Sequence, residues 1–238
     1  MKKILIISGW IGNRKIFSPI IDKLQGSDIR FIDFQQIDNK ESIVVKVNES
    51  IKEFNPDIVI AWSMGTLALL KALEEKVVKS KLVLIAPTSK FTKNEHNSFG
   101  WISRVVDSMI KSLKTSKELT LEKFCNNMLT KNEMKYKSLV IDNLELGDLL
   151  IDSSTLSNGL LFLRDVEASN IDKIENETLI IHGEEDFICS VHGAEYINKK
   201  LKNSTLKVID NCGHIPFITS KKEFINILYN FLGDINND

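Results

Sequence analysis

Asp57-Ile58-Val59-Ile60-Ala61-Trp62-Ser63-Met64-Gly65 is the stretch on which the fold turns. Its first half is a continuous apolar run, the pattern of a strand buried on both faces. That strand ends abruptly in a small-aromatic-Ser-x-Gly turn, and Thr66 to Lys76 continues as a helix. A serine in such a strand-to-helix elbow is lifted out of the sheet with its Oγ exposed. Small residues belong two before and two after it, because the backbone passes close to its neighbours there. Gly65 meets the second requirement, while Ala61 replaces the usual glycine at the first. The elbow is therefore a weak signal by itself, and a strand-end serine before a helix is often only an N-cap.

Outward from this stretch, short apolar runs alternate with helical patterns, which implies βαβ units and a largely parallel sheet. The expected strands are Lys3–Ile7, Ile29–Phe34, Asp57–Trp62, Lys81–Ala86, Thr178–His182 and Thr205–Ile209. Helices fit Ile16–Leu24, Glu41–Phe54, Thr66–Lys76, Val191–Leu201 and Lys222–Phe231, with Asn55-Pro56 closing the second of them. Between about Pro87 and Asn170 the alternation stops. That stretch reads as helices over Ser98–Leu113, Thr120–Leu129, Glu133–Leu149 and Ser154–Glu167. The expected organisation is an α/β core from residues 1–87 and 171–238, with a helical cap over 88–170 inserted after the fourth strand.

Composition excludes more than it assigns. A chain of 238 residues with a formal charge of −1 carries no global attraction to nucleic acid or an anionic membrane. The apolar run after Lys2-Lys3 is too short for a signal peptide or a membrane span. Cys125, Cys189 and Cys212 show no metal-ligand spacing, and an odd count argues against a disulfide framework. The expectation is a cytoplasmic protein without metal or organic cofactor.

A serine needs a general base, and the base needs an orienting acid. Strand Thr178–Ile181 runs into His182-Gly183-Glu184-Glu185-Asp186, which puts a carboxylate at the sheet edge that holds Ser63. Asp186 is the better placed; Glu184 and Glu185 are fallbacks. The last strand leads into Cys212-Gly213-His214, where a loop histidine can turn inward over the serine. Bland readings exist for both, Asp186 as a helix cap and His214 as a satisfied loop histidine. Their agreement at three strand ends favours the catalytic one. His96 in a polar loop, His182 at a strand end and His192 at a helix start are weaker candidates. An oxyanion needs two donors. Met64 N–H, at the start of the helix after Ser63, is one, and Trp10 N–H in Ser8-Gly9-Trp10-Ile11-Gly12 is the other. That loop lacks the full GxGxxG of a dinucleotide site.

The order Ser63, Asp186, His214 identifies the chain as a member of the α/β-hydrolase superfamily. More closely, it resembles the carboxylesterases that demethylate pimeloyl-acyl carrier protein methyl ester in biotin synthesis. Gly9-Trp10-x-Gly12, Ala61 to Gly65, Asn158-Gly159-Leu160 through Asp165, and His214-x-Pro216-Phe217-Ile218 followed by Glu223-Phe224 carry the likeness. It implies a Ser63-Asp186-His214 triad and an oxyanion hole lined by Trp10 and Met64. It also implies substrate contact through the cap segment Glu122 to Met128, by Phe124 and Met128. Its substrate would be a small acyl ester, and its partner an acyl carrier protein.

The chain departs from that pattern in places. Ser8 stands where histidine is usual before Gly9, the sequence starts at the oxyanion strand without an antiparallel hairpin, and cap arginines are few, mainly Arg104 and Arg164. Lysines could substitute for them: Lys111 to Lys137 holds seven lysines against Glu118, Glu122 and Glu133, a local basic excess that would steer an acidic partner, unless it is simply a solvated helix face. A thioesterase, a C–C bond hydrolase and a triad lyase share the machinery. A non-catalytic receptor binding a small ligand under the cap is the rival from another class.

Overall fold

Six apolar runs form one sheet, close to where the sequence puts them: β1 (Lys3–Ile7), β2 (Asp28–Ile32), β3 (Ile58–Trp62), β4 (Lys81–Ile85), β5 (Thr178–Gly183) and β6 (Ser204–Ile209). The computed structural model describes residues 1–95, 97–146 and 151–233. The strand order is β2-β1-β3-β4-β5-β6, and all five pairings are parallel. β3 and β5 are buried along their whole length, whereas β6 at one edge and β2 at the other are partly exposed. This is the burial that continuous Ile/Val/Leu runs require in the middle of a sheet covered on both faces.

The strand order places the site. From β1 the chain moves outward to β2, then returns to pair β3 on the other side of β1. The loops after β1 and β3 therefore diverge at a topological switch point, where a crevice opens at the carboxyl ends of the strands. The helices beside the sheet are α1 (Ser18–Ile21), α2 (Glu41–Phe54) and α3 (Met64–Leu73), then, after β5, α8 (Val191–Lys200), α9 (Pro216–Thr219) and α10 (Lys221–Leu232). α2 buries Ile43, Val47, Ile51 and Phe54 on one stripe and ends at Asn55 in the left-handed conformation before Pro56.

Among the described residues, four further α-helices lie between β4 and β5 and form the cap: α4 (Ser103–Thr115), α5 (Lys117–Asn127), α6 (Lys137–Leu144) and α7 (Ser153–Asp165). α4 packs on both α5 and α7. Among the described residues, no helix is long and apolar enough to cross a membrane.

The structure corrects three of the expected helices. Ile16–Leu24 is instead a 3-10 turn over Lys15–Phe17 followed by the single turn α1, because Pro19 has no N–H with which to continue a helix begun before it. The first cap helix starts at Ser103 and not at Ser98. Trp101 is held in a bridge to Thr92, its N–H donating to Phe91 O at 2.9 Å and its carbonyl accepting from Lys93 at 2.8 Å. The expected helix Glu133–Leu149 divides into a 3-10 segment, Lys131–Tyr136, and α6, which stops at Glu145 with φ 55°. Residues 147–149 of that expectation lie outside the described residues, as do His96 and the terminal Asn236-Asn237-Asp238.

Candidate active site

The elbow forms because β3 and α3 meet at one residue with positive φ. Ser63 has φ 54° and ψ −121°, a conformation that costs a non-glycine residue about 1–3 kcal/mol. Neighbouring groups over-determine it. Ser63 N–H donates to Ile85 O at 3.0 Å, and Ser63 O accepts from Thr66 N–H at 2.8 Å and from Thr66 Oγ1 at 2.6 Å. The Ser63 side chain makes no capping bond to α3, so the simple N-cap reading does not describe it. Its Oγ points instead to His214.

Ser63, His214 and Asp186 are brought together from the ends of β3, β6 and β5. His214 Nε2 lies 2.8 Å from Ser63 Oγ, and His214 Nδ1 lies 2.7 Å from Asp186 Oδ2. Ser63 is 6% exposed, Asp186 8% and His214 0%, so the chain of hydrogen bonds is shielded from bulk water. Asp186 is not the cap of α8, a role filled by Ser190. Its Oδ1 accepts the amides of Ile188 at 2.8 Å and Cys189 at 2.9 Å, which frees Oδ2 for the histidine. Glu184 and Glu185, the fallback acids, are exposed.

Burial would raise the Asp186 carboxyl, but the His214 charge and hydrogen bonds from His182 and His214 outweigh it. Asp186 is held well below the usual carboxylate range. His182 is fully buried, with Nε2 at 2.8 Å from Cys189 O and 3.3 Å from Asp186 Oδ2. Cys189 is the other neighbour that sequence reasoning passed over. Burial pushes its thiol well above the ordinary value, the Asp186 charge adds to that, and a hydrogen bond with Ser63 works against it. A thiol so protonated does not compete as a nucleophile. Position was the available signal for both residues, since they flank Asp186 on either side within four residues.

The loop after β1 crosses directly over the serine. A Cβ added to Gly9 would stand 3.1 Å from Ser63 Cβ and 3.0 Å from the Trp62 ring, which is why this position has none. Trp10 is buried and its indole Nε1–H donates to Leu156 O of α7 at 3.0 Å, so the indole is committed to the cap. Met64 opens α3, so its amide has no partner within the helix. Phe124 of α5 sets its ring edge-on to Trp10 at 4.7 Å between centroids. It also walls a cap cavity of about 340 Å³ shared with Trp101, Val105, Met109, Leu119 and Lys123. Met128 is 1% exposed and takes part through its carbonyl, which accepts His214 N–H at 2.9 Å. No cluster of three or more His, Cys, Asp or Glu side chains able to hold a metal occurs among the described residues.

The chain is similar to several known proteins. A family model described as Hydrolase_4, serine aminopeptidase S33, matches residues 23–219. A pimeloyl-[acyl-carrier protein] methyl ester esterase of Nitrosospira multiformis is 27% identical over 193 residues, covering 78% of this chain and 72% of that one. Among solved structures, an esterase from Exiguobacterium antarcticum superposes with a TM-score of 0.84 at 21% identity, covering 98% of this chain and 92% of its own. A bromoperoxidase from Bacillus anthracis does so with a TM-score of 0.85 at 16% identity, with the same coverage. These two structural likenesses speak for the fold.

Two outcomes follow from the geometry. Gly65 packs so that an added Cβ would lie 2.4 Å from Ser8 O and 2.8 Å from Ile7 O, both backbone atoms. Gly65→Ala is expected to lower stability by about 1–3 kcal/mol, read from urea denaturation. On acidification the unfolded chain protonates Asp186 near its ordinary value of about 3.9, while the folded chain resists, so protons favour unfolding. The stability that Asp186 contributes is therefore complete near neutral pH and is lost as pH falls through that value toward the depressed folded one. Between pH 6 and pH 3 the urea midpoint of wild type should drop more steeply than that of Asp186→Asn; parallel curves would contradict this.

Proposed function

From the premise that the chain belongs to the Hydrolase_4 family, serine aminopeptidase S33, we propose that this carboxylic ester hydrolase works by a Ser63-His214-Asp186 mechanism on an acyl ester. The observation that carries the reading is the continuous relay of 2.8 Å and 2.7 Å hydrogen bonds from a serine on a strained elbow to a buried aspartate. Ser63 Oγ attacks the ester carbonyl carbon as its proton passes to His214 Nε2. Asp186 stabilises the imidazolium and fixes its orientation. The amides of Met64 and Trp10 receive the negative charge on the former carbonyl oxygen, each such donor being worth roughly 10²–10³ in rate. Collapse expels the alcohol, protonated by His214, and leaves Ser63 acylated. Water then gives its proton to His214 as it attacks the acyl carbon, and His214 returns that proton to the departing Ser63 Oγ, which releases the acid and free Ser63.

The finer reading is that the ester is the methyl ester of a pimeloyl group on an acyl carrier protein, the substrate named for the curated relative of Nitrosospira multiformis. Two features of the cap support it. The cavity beside Phe124 carries Lys123 and no carboxylate among its described lining residues, which suits a neutral or anionic substrate better than the protonated amine of a peptide N-terminus. The surface of α4 to α6 keeps a basic excess: Glu133 is buried, Glu122 pairs with Lys137 at 2.8 Å, and the exposed Lys111, Lys114, Lys123, Lys131 and Lys135 outnumber the exposed Glu118 and Asp142. Arg164 does not add to this surface, because it pairs with Asp107 and Asp165. A cytoplasmic setting belongs to the same proposal, in keeping with three buried, unpaired cysteines.

Ser63→Ala is expected to lower kcat by roughly 10⁴–10⁶ on any ester substrate, measured against a catalytically blank preparation. For the carrier-bound methyl ester, Lys131→Glu with Lys135→Glu should raise KM at low salt while hydrolysis of a short nitrophenyl ester stays unchanged. Equal effects on both substrates, or none on either, would remove the carrier from the proposal and leave the esterase.

A further inference from the structure

We propose that Glu133, a buried carboxylate of the cap, is a positioning residue for the His214 base, an inference that rests on the triad reading above. Its side chain is 5% exposed and lies on the 3-10 segment Lys131–Tyr136, whose start it closes in a capping box with Thr130. In that box Glu133 Oε2 accepts Thr130 N–H at 2.9 Å, and Thr130 Oγ1 accepts Glu133 N–H at 3.3 Å. The same Oε2 also accepts the N–H of Gly213 at 3.0 Å, from the loop that carries His214. Oε1 is buried and has no hydrogen-bond partner among the described residues.

A capping box alone does not explain this residue. Glutamine closes such a box equally well without placing a half-satisfied carboxylate in the interior, which is unfavourable. What the carboxylate adds is a charge-assisted bond, roughly twice as strong as a neutral one, to the amide immediately before the base. His214 itself is tied by its N–H to Met128 O at 2.9 Å and by its carbonyl to Trp62 Nε1 at 3.0 Å. Two successive amides of the histidine loop thus end on the cap, on Met128 and on Glu133. The approach is close: a Cβ on Gly213 would stand 2.5 Å from Met128 O and 2.8 Å from Glu133 Oε2. Cap and base therefore move as one body at this corner. The imidazole keeps its 2.8 Å contact with Ser63 because the cap holds the backbone from which it hangs.

The test compares Glu133→Ala, Glu133→Gln and Thr130→Ala with wild type, using a short nitrophenyl ester for kcat and KM and a fluorophosphonate for the rate of Ser63 labelling. Thr130→Ala removes the hydroxyl half of the capping box and leaves the bond to Gly213. Circular dichroism and a thermal melt establish that each variant is folded. Glu133→Ala is expected to lower kcat and the labelling rate about 10- to 100-fold with KM within twofold, the cost of a base displaced by a fraction of an ångström to an ångström. Glu133→Gln should recover most of the loss, to about 2- to 5-fold below wild type, since its amide oxygen still accepts both amides. Thr130→Ala should keep wild-type kcat.

A folded Glu133→Ala with wild-type kcat overturns the inference, as does a Glu133→Gln no better than Ala, or a Thr130→Ala that loses as much kcat as Glu133→Ala. If Glu133→Ala does not fold, a folded Glu133→Gln with unchanged kcat overturns it. His214→Ala in the same assays separates the two levels. If it labels at the wild-type rate, the triad reading fails; if it is inert while the Glu133 variants match wild type, only the positioning role fails.

Discussion

The rest of the site depends on a single strained backbone conformation, the positive φ of Ser63 between β3 and α3. Strain of about 1–3 kcal/mol persists only where the surroundings leave the chain no alternative. Here the constraint comes from both sides. The amide of Ser63 continues the β3–β4 ladder by donating to Ile85 O, and its carbonyl is gripped twice by Thr66. Thr66 Oγ1 is in turn approached by the amide of Thr88 at 3.2 Å, just past the end of β4. Release of the elbow would break a strand edge and the first turn of α3 together. Glycine at positions 9 and 65 is part of the same constraint, because the loop after β1 and the strand beneath it fill the space on either side of the serine. An exposed Oγ is thus the product of packing and not of a favourable local propensity.

The histidine is placed by the opposite strategy. No positive φ is involved at His214; its loop is pinned by long-range hydrogen bonds, to β3 through Trp62 and to the cap through Met128 and Glu133. Asp186 is held by the amides of its own turn, with His182 beneath it sharing Nε2 between Cys189 O and Asp186 Oδ2. Three side chains from three strand ends therefore arrive by three mechanisms, backbone strain, tertiary pinning and a local turn. Parallel strands make this possible, since all of their carboxyl ends open on one face of the sheet.

Those mechanisms also explain what was legible in the sequence. Strand positions were, because Ile and Val runs such as Ile58-Val59-Ile60 can be buried on both faces only in a central strand. The elbow and the Asp186 turn were, because each is encoded within a few consecutive residues. The ends of α2 were, because Asn55-Pro56 stops a helix by local sterics. Pro19 carried an equally local signal against a helix over Ile16–Leu24 that the apolar spacing masked. The start of α4 was hidden for a different reason: Trp101 is diverted by a backbone bridge to Thr92 and an indole bond to Ile188 O at 2.9 Å, neither visible in its neighbours. Glu133 was the least legible. From the chain alone it is one of three acids among seven lysines, and its bond to an amide eighty positions away appears only once the cap has folded onto the core.

That bond bears on how a cap can change while the chemistry stays constant. The outer faces of α4 and α5 carry the exposed Lys111, Lys114 and Lys123, and the cavity beside Phe124 is lined by residues of α4 and α5 and by Trp101, with no member of the hydrogen-bonded relay among them. The segment from Met128 to Glu133 is instead the floor on which the His214 loop rests, and Gly213 has no side chain because that floor lies within 3 Å of where one would start. On the proposed function, a cap built this way divides along its length, with substrate contact on the side turned to solvent and base placement at the corner turned to the sheet. On that proposal the helical insertion belongs to the catalytic apparatus together with the strands, since a relay spanning 2.8 Å and 2.7 Å is only as well defined as the backbone from which its middle member hangs.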